Sequence, residues 1–197
     1  MSRVVVSAWT TLDGFVAGLD DSMGWLRADA DLMAYEIRLV EEAGALLLGR
    51  VTHADFASHW PAVAAGRIDA DEGSRRYARR LDQLDKVVAS RSGEVAEWPG
   101  TRRIAEVTRE DIRELRDHAD GDVVVYGSLR LVSTLRALDL IDELHLVVNP
   151  ILLGRGKPLL DPDLPPTPLE LRESRPFAAG AVLLRYAVQH PGSTGEP

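Results

Sequence analysis

The stretch Leu46-Leu47-Leu48-Gly49-Arg50-Val51-Thr52 constrains this chain more than any other. Ala45 to Leu48 reads as a short buried strand, and Thr52-His53-Ala54-Asp55-Phe56 opens a helix. A strand handing over to a helix through Gly-Arg-x-Thr is a place to hold a phosphate. The turn leaves backbone N–H groups free at the helix start, where the helix dipole favours an anion. Arg50 adds a planar cation suited to phosphate oxygens. Two further strand ends have the same character: Val123-Val124-Val125-Tyr126-Gly127-Ser128, and Lys86 to Ala89 followed by Ser90-Arg91-Ser92-Gly93.

The rest of the chain alternates in the same way. Arg3 to Trp9 is a Val-rich strand, and Thr10 to Asp21 reads as a loop with a turn signal at Asp13-Gly14. Asp29 or Asp31 caps a helix to about Ala43, with Met33, Ile37, Val40 and Gly44 on one face. The helix opened by Thr52 is expected to stop near His59, because Pro61 disfavours helix in the residue before it. Pro61 to Gly73 reads as a loop, and Ser74 to Leu84 as a helix with Tyr77, Leu81 and Leu84 inward. Thr101 to Ala105 is a short strand. Thr108 caps a helix to about His118. Asp122 to Tyr126 is a strand buried on both faces. Ser128 caps a helix that turns Leu131, Val132, Leu135 and Leu138 inward. Asp142 to Asn149 is a strand stopped by Pro150, and Ile151 to Asp161 is turn-rich. Leu169 to Ser174 and Ala181 to Val188 pair as strands. Strands alternate with helices and then pair by hairpin. The expected fold is therefore α/β: a mostly parallel central sheet with helices on both faces and an antiparallel C-terminal hairpin. It forms one domain over 1–189, with a disordered tail at 190–197.

Composition removes several classes of function. A net charge of −8 argues against a nucleic-acid or anionic-membrane surface, and the absence of cysteine removes thiolate catalysis and thiolate metal sites. No apolar run approaches the length of a membrane span, and no signal-peptide pattern opens the chain, so a cytoplasmic protein is expected. No Gly-x-Gly-x-x-Gly follows the first strand, no Walker A lysine is present, and no Gly-x-Ser-x-Gly elbow occurs. The five histidines have no metal spacing and read as surface or half-buried residues. Asp13, Asp20, Asp21, Asp29 and Asp31 are explained by turns and caps, or else one of them serves a substrate pocket. Trp25 among them is a core plug or a stacking wall for a planar ring.

Thr11-Leu12-Asp13-Gly14-Phe15-Val16-Ala17, Trp25 and Leu48-Gly49-Arg50-Val51-Thr52 together resemble the dihydrofolate reductase-like superfamily. Tyr126-Gly127-Ser128-Leu129-Arg130-Leu131, Asp142-Glu143-Leu144 and Pro150-Ile151-Leu152-Leu153-Gly154-Arg155-Gly156 are similar to one branch of it. That branch is the reductase domain at the C-terminus of the bifunctional riboflavin-biosynthesis deaminase/reductase. The resemblance implies a homodimer that uses NADPH on a small-molecule substrate. It implies that Gly49, Arg50 and Thr52 hold cofactor phosphates, and that Ser90 and Arg91 lie near the adenosine ribose and its 2′-phosphate. Tyr126, Gly127, Ser128 and Leu129 would form the pyrophosphate corner. Ala8, Thr11, Val16 and Ala17 would line the nicotinamide side, and Trp25 would face the substrate. Where riboflavin-pathway reductases carry Glu-Gly-Gly, this chain has Tyr126-Gly127-Ser128. Where dihydrofolate reductases carry a carboxylate in the first helix, alignment falls on Ala30, which makes Asp31 the candidate. The expected function is NADPH-dependent reduction of a pterin-like or pyrimidine-like ring; the alternative is a nucleotide-binding sensor or partner module without turnover.

Overall fold

The computed structural model describes residues 2–160 and 163–190; apart from His190, the expected tail lies outside them. Eight strands form one sheet in the order β5-β4-β3-β6-β1-β7-β10-β9. They are β1 Val4–Thr11, β3 Ala43–Gly49, β4 Asp85–Ala89, β5 Thr101–Ile104, β6 Asp122–Tyr126, β7 Glu143–Asn149, β9 Leu169–Pro176 and β10 Val182–Val188. The six strands from β5 to β7 run parallel, and β10 is antiparallel to both β7 and β9. The expected sheet and hairpin are both present.

Helices α1 (Ala30–Glu42), α2 (Arg50–Ala64) and α3 (Glu72–Gln83) pack on one face, around Val5, Leu46, Leu48, Val124 and Tyr126. Helices α4 (Arg109–His118) and α5 (Leu129–Ala137) pack on the other, around Val4, Val6, Leu47, Val123 and Val125. The near-continuous apolar runs of β3 and β6 follow from this, since alternate residues must suit a core on either side.

Four local expectations need correction. Helix α2 runs through Pro61 instead of stopping before it. The missing N–H and crowded ring cost about 3 kcal/mol in a helix interior. Trp60 packs edge-on against Tyr77 of α3 at 4.8 Å, and Val63 beyond the proline is buried, so tertiary packing outweighs the local preference. The loop after β1 contains β2 (Phe15–Ala17), which pairs with β8 (Lys157–Pro158) inside the turn-rich segment. Strands this short have no periodicity to read. The buried stripe of α1 is Leu32, Tyr35, Glu36, Leu39 and Val40, one position off the expected Met33-Ile37 line. Two of the histidines, His53 and His145, are fully or almost fully buried.

Candidate active site

The three phosphate-type strand ends belong to β4, β3 and β6, three consecutive strands of the sheet, and all lie at its C-terminal edge. Helix α2 leaves β3 toward one face and α5 leaves β6 toward the other, so a crevice opens between adjacent strand ends. Ligands of open α/β sheets bind in such places. The two corners touch. A Cβ on Gly49 would lie 2.2 Å from Ser128 Oγ, and one on Gly127 would lie 2.8 Å from Thr52 Oγ1. Gly127 also has φ +57°, and Ser128 follows it with φ 55°, both in the left-handed region. Glycine is thus required at both corners by close approach, and at Gly127 by backbone conformation as well.

Both helices at the crevice begin without a side-chain cap. Gly49 has no side chain to offer, and Ser128, expected to cap α5, is turned by its left-handed backbone so that its hydroxyl makes no capping bond. The first-turn N–H groups of α2 and α5 therefore remain available to an anion. Arg50 is exposed at the start of α2. At the end of β4, Ser90 is buried and bonds within its own turn, to Ser92 O and Ser92 Oγ, each at 3.0 Å. Arg91 is exposed beside it. Arg103 of β5 donates to Ser90 O at 2.8 Å, a further cation at this corner that the sequence reading did not single out.

On the other side of β6, Ala8 and Thr11 are buried at the end of β1, and Val16 and Ala17 lie on β2. The Thr11 hydroxyl is committed to its turn: it donates to Asp13 at 2.6 Å and accepts from Phe15 N at 3.0 Å. Asp13 also accepts from the N–H groups of Leu153 and Gly154, which ties the β1–β2 turn to the 151–156 segment. The Thr11 hydroxyl and these N–H groups hold its carboxyl down at about 2. Asp13 is therefore explained by turn chemistry. Trp25 is buried, and its indole N–H has no hydrogen-bond partner among the described residues.

Asp31 is exposed in the first turn of α1, and Asp29 caps that helix by accepting from Leu32 N at 2.9 Å. The carboxylate that reaches the strand ends is Glu36. It is 4% exposed; Trp9 Nε1 donates to it at 2.7 Å and the Tyr126 hydroxyl at 3.0 Å. Tyr126 directly precedes the Gly127 corner, and Phe56 of α2 packs on its ring at 5.7 Å. Burial pushes the Glu36 carboxyl up, against the pull of its two hydrogen bonds. The sequence signal was a glutamate at an i+4 position on the stripe that starts at Leu32. It was hidden because a charged residue reads as helix surface.

The RibD C-terminal domain family matches residues 2–183 of the chain. The chain belongs to that family. It is similar to the uncharacterized protein YyaP of Bacillus subtilis (strain 168), 24% identical over 184 residues, with 93% of this chain and 94% of that one covered. Its fold is similar to that of a pyrimidine reductase-like protein from Corynebacterium diphtheriae, with TM-score 0.62 and 18% identity over 96% of this chain and 93% of that one. A dihydrofolate reductase from Enterococcus faecalis, complexed with NADP(H), has TM-score 0.58 and 13% identity, covering 95% and 97% of the two chains. No helix among the described residues is long and apolar enough to cross a membrane.

Proposed function

We propose that this protein is a cytoplasmic, homodimeric NADPH-dependent reductase of a small planar heterocycle, pterin-like or pyrimidine-like. The observation that carries the reading is the meeting of two uncapped helix starts, at Gly49 and Ser128, in one crevice. Membership of the RibD C-terminal domain family supports it. The crevice suits a dinucleotide: two sets of free N–H groups take a pyrophosphate, and Arg50 and Arg91 stand exposed for further phosphate charge. NADPH, when bound, supplies the hydride.

The protein's own contribution is to bind, orient and hold a proton. Ala8, Val16 and Ala17 offer an apolar wall beside the strand ends, and the buried Trp25 fixes the loop that follows. Glu36 takes the role expected of Asp31. Burial raises the pKa of its carboxyl, and the Tyr126 hydroxyl at 3.0 Å links it toward the crevice. Glu36 is thus a positioning and proton-holding residue that acts through Tyr126.

Equilibrium titration with NADPH, followed by a screen of reduced-cofactor oxidation against pterins and pyrimidines, tests the reading. Arg50→Ala should weaken NADPH binding by about tenfold, the worth of a charge-assisted contact. No binding at about 100 μM, in the range of ordinary enzyme affinities, or equal binding by Arg50→Ala, sinks it. Turnover that stops at one cofactor per site identifies a nucleotide-binding module instead. For Glu36, the rate should fall as pH rises through its elevated pKa. Glu36→Gln should lower kcat, leave NADPH binding intact and flatten that pH profile; a profile unchanged in Glu36→Gln removes the residue from the mechanism.

A further inference from the structure

One part of the sheet surface is apolar and belongs to neither core. It lies on β7 and the C-terminal hairpin, on the face that carries α4 and α5. Residues directly opposite one another in paired strands share a face. Val148 stands opposite Val182, Leu146 opposite Leu184, and Leu171 of β9 opposite Tyr186. The next residues along, Val147 and Leu183, point the other way and are fully buried in the core beneath α1, α2 and α3. Leu146, Val148, Val182 and Leu184 are only half-buried, and Leu171 is 52% exposed. The core beneath α4 and α5 takes in Leu144 near the start of β7 and reaches the hairpin only at Tyr186 and Val188, near the end of β10. The C-terminal half of β7 and the N-terminal half of β10 lie outside it.

The charges of this region stand on the opposite face. There Glu143 pairs with His145 and Arg185, and Arg185 with Glu173. The apolar face is completed on β9 by uncharged residues, Ser174 opposite Leu184 and Pro176 opposite Val182. This bears on what covers it. The chain carries a net charge of −8, so two copies repel over much of their surface and meet most cheaply where no charge stands. A twisted sheet face also matches its own copy. Two sheets stack about 10 Å apart with strands within about 30° of each other, and a two-fold axis sets the same patch on both sides. Three strands giving about five residues each offer roughly 250 Å² in projection. That is the apolar centre of a standard interface of about 800 Å² per partner, inside a polar rim. The free edge of β9 is the poorer meeting place. The β9–β10 pairing is bulged between Arg185 and Tyr186, and a bulge twists an edge away from a partner.

We propose that two copies of this chain associate face to face through this patch, with Leu146 and Leu184 at its centre. The inference gives a surface to the homodimer of the reading above and rests on that part of it. It does not rest on the cofactor or the substrate.

Sedimentation equilibrium of the whole protein at about 10 μM, above the dissociation constants of standard interfaces, should return twice the mass of the chain. Leu184→Glu should weaken the dimer about a hundredfold, because each copy then buries an unpaired carboxylate, and Leu146→Glu should do the same. Ile68→Glu, at an exposed apolar residue between α2 and α3, should leave the dimer intact. Leu184→Thr keeps a residue that favours strands; it should weaken the dimer about tenfold and carries the test if the glutamate variants do not fold. A monomeric wild type, a dimer that survives the Leu146 and Leu184 substitutions in folded protein, or one broken only by Ile68→Glu overturns the proposal. NADPH titration of the same samples keeps the two readings apart. A dimer that is sensitive at Leu184 but binds no NADPH leaves the interface standing without the reductase, and NADPH binding by a monomeric wild type does the reverse.

Discussion

Helices α1, α3 and α4 begin on side-chain caps, whereas α2 and α5 begin on Gly49 and Ser128 with none. Asp29 and Asp71 each accept an N–H of the first turn, and Thr108 forms a reciprocal capping box with Asp111. A cap satisfies one of the four N–H groups a helix start leaves unpaired. Its absence from both helices that meet at the crevice, and its presence on the three that do not, separates starts capped by the fold from starts whose N–H groups no side chain caps. The close packing of Gly49 on Ser128 and of Gly127 on Thr52 shows that the two open starts form one place.

The contrast can be broken by substitution. Gly49→Ala places a methyl group 2.2 Å from Ser128 Oγ and 2.4 Å from its Cβ. It should cost about 2 kcal/mol of stability, the price of overpacking, and reduce NADPH affinity far more than Arg50→Ala does. Denaturant unfolding and the NADPH titration check both. A carboxylate placed at an open start should separate fold from binding. Ser128→Asp suits the left-handed backbone and the helix dipole, so stability should rise by about 0.5 kcal/mol while NADPH affinity drops about tenfold by repulsion. A parallel loss of both would mean that α5 is not a ligand-binding start. Removing a true cap should do the reverse: Thr108→Ala should cost about 1 kcal/mol and leave NADPH binding unchanged.

Glu36 supplies a smaller, pH-dependent effect. Its carboxyl titrates higher in the fold than in the unfolded chain, so the folded state binds the proton more tightly. Stability from this group is complete below the unfolded carboxylate range, near pH 4.3, and declines as pH rises toward the elevated folded pKa. Glu36→Gln should remove that slope from a pH series of thermal midpoints.

Much of this was legible in the chain. Val-rich β1 and β6 and the leucine run of β3 declare a sheet covered on both sides, and the glycine-bearing ends after β3 and β6 mark the crevice. The first-helix carboxylate was not legible. Asp31 sits where alignment directs attention, yet it points to solvent, while Glu36 looks like surface and is buried between Trp9 and Tyr126. Lys86 shows the same limit. A lysine near the start of a strand carries no signal, yet it is fully buried and donates to the carbonyls of Leu81 and Leu84 at the end of α3, with burial lowering its pKa to about 8.

Hydrophobic periodicity, turn residues and the three phosphate-type strand ends are properties of neighbours along the chain, so the sequence alone determined the α/β class and the kind of ligand each corner suits. Which corners meet depends on strand order, because β6 is inserted between β3 and β1 only when the sheet assembles. Which polar groups are buried depends on the helix faces that close over that sheet. The tertiary structure therefore decided that Gly49 and Ser128 share one crevice and that Glu36 is buried between Trp9 and Tyr126.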